Sequence, residues 1–373
     1  MEKSFDIGVL GWWYGENYGS MLTYYALNKV LKKLGYSVLM IHEALGYNGW
    51  RVAWNDNIAP LEFARRVGYD YTEQVHFSEL GKFNEKCHSF LVGSDQLWNP
   101  LIGRVNNDLF LDFVDNDKVR ISYGTSFGNR NIDKFKADFI SKHRLNLKNF
   151  AAISVRENYA IDIAKDVFEV DATQVVDPVF LLSEEDYSEL AEKATFKMEG
   201  KYLLAFILDP NEGKRLAISA VANKLGYDKI VILANPEHRE SAEEIFRGVR
   251  YEIVEGNKPE NWLYSYKNAE YVITDSFHGC CFAYIFKKPF SSFFNQVRGA
   301  DRFVNLMSLF GFGDSRRIYE SDREREILDN VNVIQELDFN NAIQNVGRQA
   351  MISLDWLEST LKNEGIGKSA MKD

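Results

Sequence analysis

Short apolar runs alternate with amphipathic helical segments along most of this chain, and this alternation constrains the fold more than any other feature of the sequence. In the second half, strands are predicted in KYLLAFILD, KIVILAN, YEIVEG and YVITDS, with helical segments between them. Runs rich in Val, Ile, Leu and Tyr are typical of parallel strands that are buried on both faces. The pattern therefore predicts repeated βα units.

The first half begins with the same pattern. Strand FDIGVL precedes the loop GWWYGENYGS, a helix from Met21 and strand YSVLMI. Gly35 is predicted to end that helix, because glycine accepts the left-handed conformation of a helix stop. Residues 44–85 are predicted as irregular and helical structure, and further strands are predicted in SFLVGSD, VRISYGTSFG, NFAAISVREN and TQVVDPVFLL.

The acidic stretch that follows Pro178 marks a crossing between two α/β halves. Ser183, with Asp186 three residues later, has the spacing of a helix-capping box. We predict an N-terminal α/β domain over 1–182, a C-terminal Rossmann-like domain over 183–320 and a helical tail over 321–373, which packs on the first domain or mediates assembly. The expected fold class is α/β, with two Rossmann-like doubly wound domains facing a cleft.

Composition excludes several classes of protein. The chain has 373 residues, with 44 Lys and Arg against 54 Asp and Glu, and this acidic balance argues against a nucleic-acid partner. The N-terminus lacks a signal-peptide pattern and no window reaches the ~18 apolar residues of a membrane span, so we expect a cytoplasmic protein. The three cysteines lack CxxC spacing, so neither a disulfide framework nor a metal site is expected.

Polar residues at strand ends are the candidates for function, because open parallel sheets bind ligands beyond the C-terminal ends of their strands. The glycines of GWWYGENYGS either form a tight turn or expose N–H groups to an anion, and Asn17 and Gly19 are then the nearest residues to the ligand. In GSDQLWNP, Ser94 and Asp95 either cap a helix that begins at Gln96 or present backbone N–H groups and a carboxylate to the cleft.

The segment TDSFHG places Asp275, Ser276 and His278 directly after the strand YVI. A lone histidine is more often structural, but two hydroxyls, a carboxylate and an imidazole at one strand end favour a function. Arg156, after the strand NFAAIS, is either a surface salt bridge or a bidentate anchor for a carboxylate or phosphate.

Four further arginines follow the TDSFHG segment. Each of these arginines is either a solvated helix end or an anion clamp, and both alternatives stay open. The four residues are Arg298, Arg302, Arg316 and Arg317.

Taken in order, several segments resemble the polysaccharide pyruvyl transferases over roughly residues 7–317. They are NYGSMLTYYAL, FLVGSDQLWNP, ISYGTSFG, AISVREN, VVDPVFLL and YVITDSFHGCCFAYIFKKPF. The resemblance implies a two-domain fold like that of GT-B glycosyltransferases and transfer of the enolpyruvyl unit of phosphoenolpyruvate to a sugar diol as a pyruvate ketal. It also implies a soluble enzyme without a cofactor, acting on a nucleotide- or lipid-linked glycan intermediate of cell-surface polysaccharide synthesis.

The family's motif arginine and histidine, which surround phosphoenolpyruvate, correspond here to Arg156 and His278. On this basis we expect His278 to be the general acid and Arg156 the anion anchor. Ser94, with nearby backbone N–H groups, is the expected phosphate cradle, and Asp95 is the expected base.

The chain departs from the family pattern at one position. Members with an S-R-L-H motif have an arginine two residues before the histidine, where this chain has Ser276. The corresponding anion contact is then expected from Arg298 or Arg302, or is absent. The aromatic loop Trp12-Trp13-Tyr14 suggests a subgroup of the family with its own acceptor, whose sugar ring stacks on this loop.

Two other functions stay open on the same fold. One is a glycosyltransferase that uses a nucleotide sugar, and the other is a non-catalytic glycan-binding relative. The expected partners are phosphoenolpyruvate and a glycan or sugar-nucleotide acceptor, with peripheral contact to a membrane-linked acceptor and homo-oligomer formation as further alternatives.

Overall fold

A computed structural model describes residues 4–15, 17–42, 58–101, 107–254, 258–294, 299–334 and 336–368. The chain forms two compact units. Unit 1 comprises Met1–Gly15, Ser20–Leu181 and Arg348–Asp373, and unit 2 comprises Glu16–Gly19 and Leu182–Gly347. Residues 44–57 of the interval predicted as irregular lie outside the described residues.

Unit 1 is built on a parallel sheet of seven strands. They are β1 (Phe5–Leu10), β2 (Val38–Ile41), β3 (Asp70–Tyr71), β4 (Cys87–Val92), β5 (Val119–Thr125), β6 (Ala152–Val155) and β7 (Thr173–Gln174). Their order is β3-β2-β1-β4-β5-β6-β7. In the interior strand β1, Ile7 is in register with Val38 on one side and Ser89 on the other. All six residues of β1 are buried, as predicted for a strand covered on both faces.

Helices accompany this sheet along the chain. They are α1 (Tyr18–Lys33), whose first two residues belong to unit 2, α2 (Ile58–Arg66), α3 (Ala137–Leu147) and α4 (Asn158–Asp166). Helix α1 begins three residues before the predicted start at Met21, because the side-chain oxygen of Asn17 accepts a hydrogen bond from the Gly19 N–H at 2.9 Å and so satisfies the first turn. Gly35 follows its end with a φ of 91°, as predicted.

Unit 2 repeats the architecture with six parallel strands. The strands are β8 (Leu203–Ile207), β9 (Ile230–Ala234), β10 (Tyr251–Val254), β11 (Tyr271–Thr274), β12 (Phe290–Phe293) and β13 (Arg317–Ile318). Their order is β10-β9-β8-β11-β12-β13. The helices are α5 (Glu184–Ala191), α6 (Glu212–Leu225), α7 (Arg239–Ile245), α8 (Pro259–Asn268), α9 (Phe277–Ile285), α10 (Ala300–Phe310) and α11 (Glu324–Asp329). The α/β class with two doubly wound sheets is confirmed.

The chain passes from unit 1 to unit 2 beside the predicted capping box. The Ser183 hydroxyl accepts from the Asp186 N–H, and the Asp186 carboxylate accepts from the Ser183 N–H at 3.0 Å. Acidic residues in the first turn of α5 also suit the positive end of the helix dipole. The predicted cap of this helix is confirmed.

The segment 321–373, predicted as one tail, is shared between the two units. Helix α11 lies in unit 2, where the Lys224 ammonium donates to the carbonyl oxygens of Ile327 and Leu328 at 3.2 and 2.9 Å. The last helix, α12 (Asn340–Asn363), belongs to unit 1 from Arg348 onward. There the Ser353 hydroxyl accepts from the Val176 N–H at 2.9 Å. The tail packs because each part contributes buried side chains to the unit that it joins.

Candidate functional site

The GSD segment, residues 93–95, lies at the C-terminal edge of the unit 1 sheet, where the strand order reverses. β1 lies between β2 and β4, so the connections after β1 and β4 diverge at this edge, which is where open parallel sheets bind ligands. No helix begins at Gln96. Asp95, which lies beyond the end of β4, instead forms a parallel bridge with Thr125, the last residue of β5. The capping alternative is therefore wrong, and the segment continues the sheet by one residue pair.

Ser94 is fully buried and is held by its neighbours. Its hydroxyl donates to the carbonyl oxygen of Gly124 at 2.9 Å, and its own carbonyl oxygen accepts from the Tyr24 hydroxyl at 2.8 Å. These bonds tie the start of the GSD segment to β5 and to α1. The Ser94 hydroxyl proton is thus engaged in a hydrogen bond within unit 1. A phosphate-cradling role for Ser94 stays a prediction.

The Asp95 carboxylate is oriented by three donors. One oxygen accepts from the Ser20 hydroxyl at 3.0 Å, and the other accepts from the Gln96 N–H at 2.9 Å and from the Arg156 guanidinium at 3.2 Å. The side chain is 14% exposed, so the carboxylate is largely fixed and not fully enclosed. An oriented carboxylate at a ligand-binding edge is suited to accept a proton from a hydroxyl group.

Arg156 is buried among carboxylates and does not lie on the surface. Its guanidinium bonds Asp177 as well as Asp95, and its Nε lies 3.9 Å from Glu157. Burial alone would lower the pKa of Arg156, but the carboxylates of Asp177, Asp95 and Glu157 outweigh it and raise that pKa above its ordinary value. The surface salt-bridge alternative is wrong. The anchoring of an anion stays a prediction, and it would require an anion to compete with these carboxylates.

Sequence reasoning did not identify Asp177 or Ser20 as site residues. Asp177 is 3% exposed, and its second oxygen accepts from the Val179 N–H at 3.1 Å and the Thr23 hydroxyl at 3.4 Å. It follows the last strand of the sheet within VVDPVFLL, so the strand-end rule that selected Arg156 could also have selected it.

The aromatic loop after β1 is part of the core of unit 1. Trp13 and Tyr14 are 2% and 0% exposed, and the Trp13 indole donates to the Ile41 carbonyl oxygen at 2.8 Å. Both rings pack against His42, and burial lowers the pKa of that histidine to about 4. Trp12 is partly buried against the same core. Stacking of a sugar on Trp13 or Tyr14 is therefore excluded by their burial.

The TDSFHG segment lies at the corresponding point of unit 2. β8 lies between β9 and β11, so the strand order reverses beside the end of β11. The buried carboxylate of Asp275 accepts from the backbone N–H groups of Leu208 and Asp209 at 2.6 and 3.1 Å. It also accepts from the Lys214 ammonium at 2.9 Å. Asp275 thus joins the ends of β8 and β11 to α6, and Lys214, which sequence reasoning missed, completes its pairing.

Ser276 is the N-cap of α9. Its hydroxyl accepts from the Gly279 N–H at 3.2 Å, and its own N–H donates to the Thr274 hydroxyl at 3.0 Å. A β-carbon at Gly279 would lie 2.2 Å from the Thr274 hydroxyl oxygen, so glycine is required where α9 crosses the end of β11. Ser276 therefore sets the start of α9, and its contact with substrate stays a prediction.

His278 is the second residue of α9 and is 6% exposed. Its ring lies edge-on to Phe277, with the ring centroids 5.3 Å apart. Gly19, which belongs to the same unit, lies against the ring, since a β-carbon there would be 2.3 Å from Nδ1. The structure thus brings together Asn17, Gly19, Ser276 and His278 of the predicted site residues.

Arg302, in the first turn of α10, lies against the TDSFHG turn. It is 6% exposed, and its guanidinium lies 5.6 Å from the centre of the Phe277 ring. Arg298 lies outside the described residues. Arg316 is buried as well, and burial lowers its pKa, whereas Arg317 lies against the rings of Phe294 and Tyr319. The solvated-helix-end alternative is wrong for Arg302 and Arg316.

Three further properties bear on the chemistry. The three cysteines are buried and not joined in disulfides, and burial raises the pKa of Cys87 and of Cys280 to about 12, so these two thiols are poor nucleophiles. Over the described ranges, no three His, Cys, Asp or Glu side chains are grouped so as to hold a metal ion. Within those same ranges, no helix combines the length and the hydropathy needed to cross a bilayer.

Solved structures identify the fold. UDP-GlcNAc 2-epimerase from Neisseria meningitidis, bound to UDP-GlcNAc, is 12% identical with a TM-score of 0.63, covering 96% of this chain and 99% of its own. The epimerase from Methanocaldococcus jannaschii is 13% identical with a TM-score of 0.58, covering 93% and 98%. The wall teichoic acid polymerase TagF is 12% identical with a TM-score of 0.53, covering 96% and 89%. The fold is therefore of the GT-B type.

The sequence comparisons identify the family. No curated protein matches the chain. The family model described as polysaccharide pyruvyl transferase matches residues 17–293, which include α1, the GSD segment, Arg156 and the TDSFHG turn. That match spans most of the chain and both of its candidate edges, and the chain belongs to the polysaccharide pyruvyl transferase family.

Proposed function

We propose that this protein transfers the enolpyruvyl unit of phosphoenolpyruvate to two hydroxyls of a sugar in a nucleotide- or lipid-linked glycan intermediate, forming a pyruvate ketal. The observation that carries the proposal is the setting of His278. In a chain of this family, an imidazole lies in the first turn of a helix, at the edge where the unit 2 sheet reverses its strand order. Histidine is suited to give and take protons near neutral pH.

The reaction needs one acid and one base. The methylene carbon of phosphoenolpyruvate takes a proton, and one sugar hydroxyl bonds to the former enol carbon while losing its own proton. The second hydroxyl then forms the other ketal bond. Phosphate leaves with the electron pair of the broken C–O bond and takes the second hydroxyl proton. We assign the proton delivery to His278 and the removal of the first hydroxyl proton to Asp95.

The anionic donor fits the residues of unit 2. Phosphoenolpyruvate carries a phosphate and a carboxylate, and a guanidinium binds either group with two parallel hydrogen bonds. Arg302 lies over Phe277, the first residue of α9, and the N-terminal end of that helix favours negative charge. We assign Arg302 to the anion contact that other members make through the arginine before the histidine, and Ser276 to the cap that holds this helix end.

Unit 1 presents the opposite charge. Arg156, Asp95, Asp177 and Glu157 together carry one positive and three negative formal charges. Such a group repels an anion and accepts hydrogen bonds from neutral hydroxyls. We therefore assign Arg156 to the orientation of Asp95, and we assign binding of the acceptor's hydroxyls to unit 1.

Calorimetric titration of phosphoenolpyruvate into the full-length protein tests the proposal. We expect Arg302→Met to weaken binding by about tenfold or more, which corresponds to ~1.4 kcal/mol. Arg325→Met is the matched control, because the Arg325 side chain is 94% exposed and pairs with Asp329 across one turn of its own helix. Arg156→Ala is a poorer choice, because it leaves carboxylates buried without their cation. Absence of phosphoenolpyruvate binding to the wild type would contradict the proposal.

Glycosyl transfer from a nucleotide sugar is the second candidate. One observation favours it, namely that a similar structure, the Neisseria meningitidis epimerase, holds UDP-GlcNAc. A UDP-sugar titrated in parallel separates the two. Heat from the UDP-sugar with none from phosphoenolpyruvate would favour glycosyl transfer, whereas the reverse would favour the ketal reaction.

A further inference from the structure

Gly19 leaves room for the His278 ring. A β-carbon built on Gly19 would lie 2.3 Å from Nδ1, 2.5 Å from Cγ and 2.8 Å from Cβ of His278. Non-bonded heavy atoms repel each other strongly at these distances, so one of the two groups must move. Any side chain at position 19 would therefore move the imidazole, the start of α1 or both.

The backbone gives no other reason for glycine at this position. Gly19 is the second residue of α1, and its φ is outside the left-handed region that favours glycine. Alanine is the better helix former, so a glycine here costs helix stability. Its N–H donates to the Asn17 side chain at 2.9 Å, a bond that alanine would keep. The space taken by His278 is thus what glycine provides.

We propose that Gly19 is a positioning residue that seats the imidazole of His278, and that Asn17 acts with it by fixing the first turn of α1. The role in catalysis rests on the proposed function, in which His278 delivers a proton. Nδ1 is the nitrogen that faces Gly19, so we assign proton delivery to Nε2. Gly19 was predicted from the sequence to contact substrate, and in this proposal it acts through the histidine.

Paired substitutions test the seating of the ring. Gly19→Ala is expected to lower the melting temperature of the wild type, because the new methyl group overlaps the ring. In a His278→Ala background the ring is gone and, of the three close approaches, the one between the two β-carbons at 2.8 Å stays, so the same substitution is expected to lower the melting temperature less. An equal loss in both backgrounds would overturn the proposal.

Gly15→Ala is the matched control in the preceding loop. A β-carbon at Gly15 would lie 3.5 Å from the Trp12 carbonyl oxygen, an ordinary contact, and its φ is also outside the left-handed region. Gly15→Ala is expected to behave alike in the wild-type and His278→Ala backgrounds. If the Gly15 substitution showed the same dependence on His278, the effect at Gly19 would not report the seating of the ring.

Nuclear magnetic resonance of histidine-labelled protein gives the readout that a purely structural role would not move. The chain has six histidines, and the His278 signal is the one missing from His278→Ala. Its ring chemical shifts are expected to change in Gly19→Ala and to stay in Gly15→Ala. Unchanged His278 chemical shifts in folded Gly19→Ala would refute the proposal. Phosphoenolpyruvate binding is measured separately, so failure of the proposed function and failure of the seating remain distinguishable.

Discussion

The buried pair of Lys214 and Asp275 gives the sharpest stability prediction in unit 2. The side chains are 3% and 0% exposed, and their charged atoms lie 2.9 Å apart. The Lys214 ammonium also donates to the Asp209 carbonyl oxygen at 2.7 Å. Lys214→Met would remove the cation and leave a buried carboxylate with only backbone donors. We expect this to destabilise unit 2, because an uncompensated buried charge is costly.

The magnitude follows from the burial of both partners. Removing one member of a buried ion pair typically costs ~3–5 kcal/mol. Asp275 keeps the N–H groups of Leu208 and Asp209, so we expect the lower end of that range, about 3 kcal/mol. A change of this size corresponds to about a hundredfold faster hydrogen exchange wherever exchange requires the unfolding of unit 2.

The assay is hydrogen exchange of β8 and β11 in the wild type, Lys214→Met, Asp275→Asn and the double variant. The matched control is the same cycle on Arg215 and Glu212, which pair on the exposed face of the same helix. We expect strong coupling for the buried pair and none beyond experimental scatter for the exposed one. Equal coupling in the two cycles would refute the argument that burial gives the pair its strength.

Three further predictions concern unit 1 and the helix that follows it. Ser183→Ala should cost about 1 kcal/mol of stability by removing the cap of α5, and chemical denaturation would measure it. Burial lowers the pKa of His42 and of His143 to about 4, below the unfolded value, so their contribution is fully present above pH ~6.5 and is lost as the pH falls toward 4. Denaturation midpoints should follow this fall, by up to about 3 kcal/mol for each residue, and replacing both with glutamine should flatten it. Gly11→Ala should cost at least ~2 kcal/mol, because its β-carbon would lie 1.8 Å from the Tyr24 hydroxyl oxygen, and Tyr24→Phe should relieve part of the loss in calorimetric melting.

Much of the fold could be predicted from the sequence because its signals are local. A buried parallel strand is a continuous apolar run, so β1, β8 and β11 stand out without any knowledge of their partners. Helix α1 begins earlier than predicted because apolar spacing locates a helix interior, whereas a side-chain cap at Asn17 sets its first turn. The shared tail could not be predicted, because charged helical sequence does not specify which unit will cover its apolar face.

The candidate site shows where sequence reasoning stops. The rule that ligands bind at strand ends located Asp95, Arg156 and His278, but it could not pair them with their neighbours. Arg156 hydrogen-bonds to Asp177, 21 residues away in the sequence, and to Asp95, 61 residues away. These contacts depend on the order of the strands in the sheet, which the sequence pattern does not give. An arginine that would suit an anion on its own is then the centre of a group with a formal charge of −2, from one guanidinium and three carboxylates.

The net negative charge around Arg156 determines which step of the proposed reaction each sheet edge can serve. A doubly anionic region such as that around Arg156 opposes a phosphate and a carboxylate, and it favours neutral hydroxyls whose protons it can accept. The start of α9, with His278 in its first turn and Arg302 beside Phe277, has the charge that an anionic donor requires. Because the two edges differ in sign, raising the salt concentration should weaken the binding of phosphoenolpyruvate while leaving that of an uncharged sugar nearly unchanged.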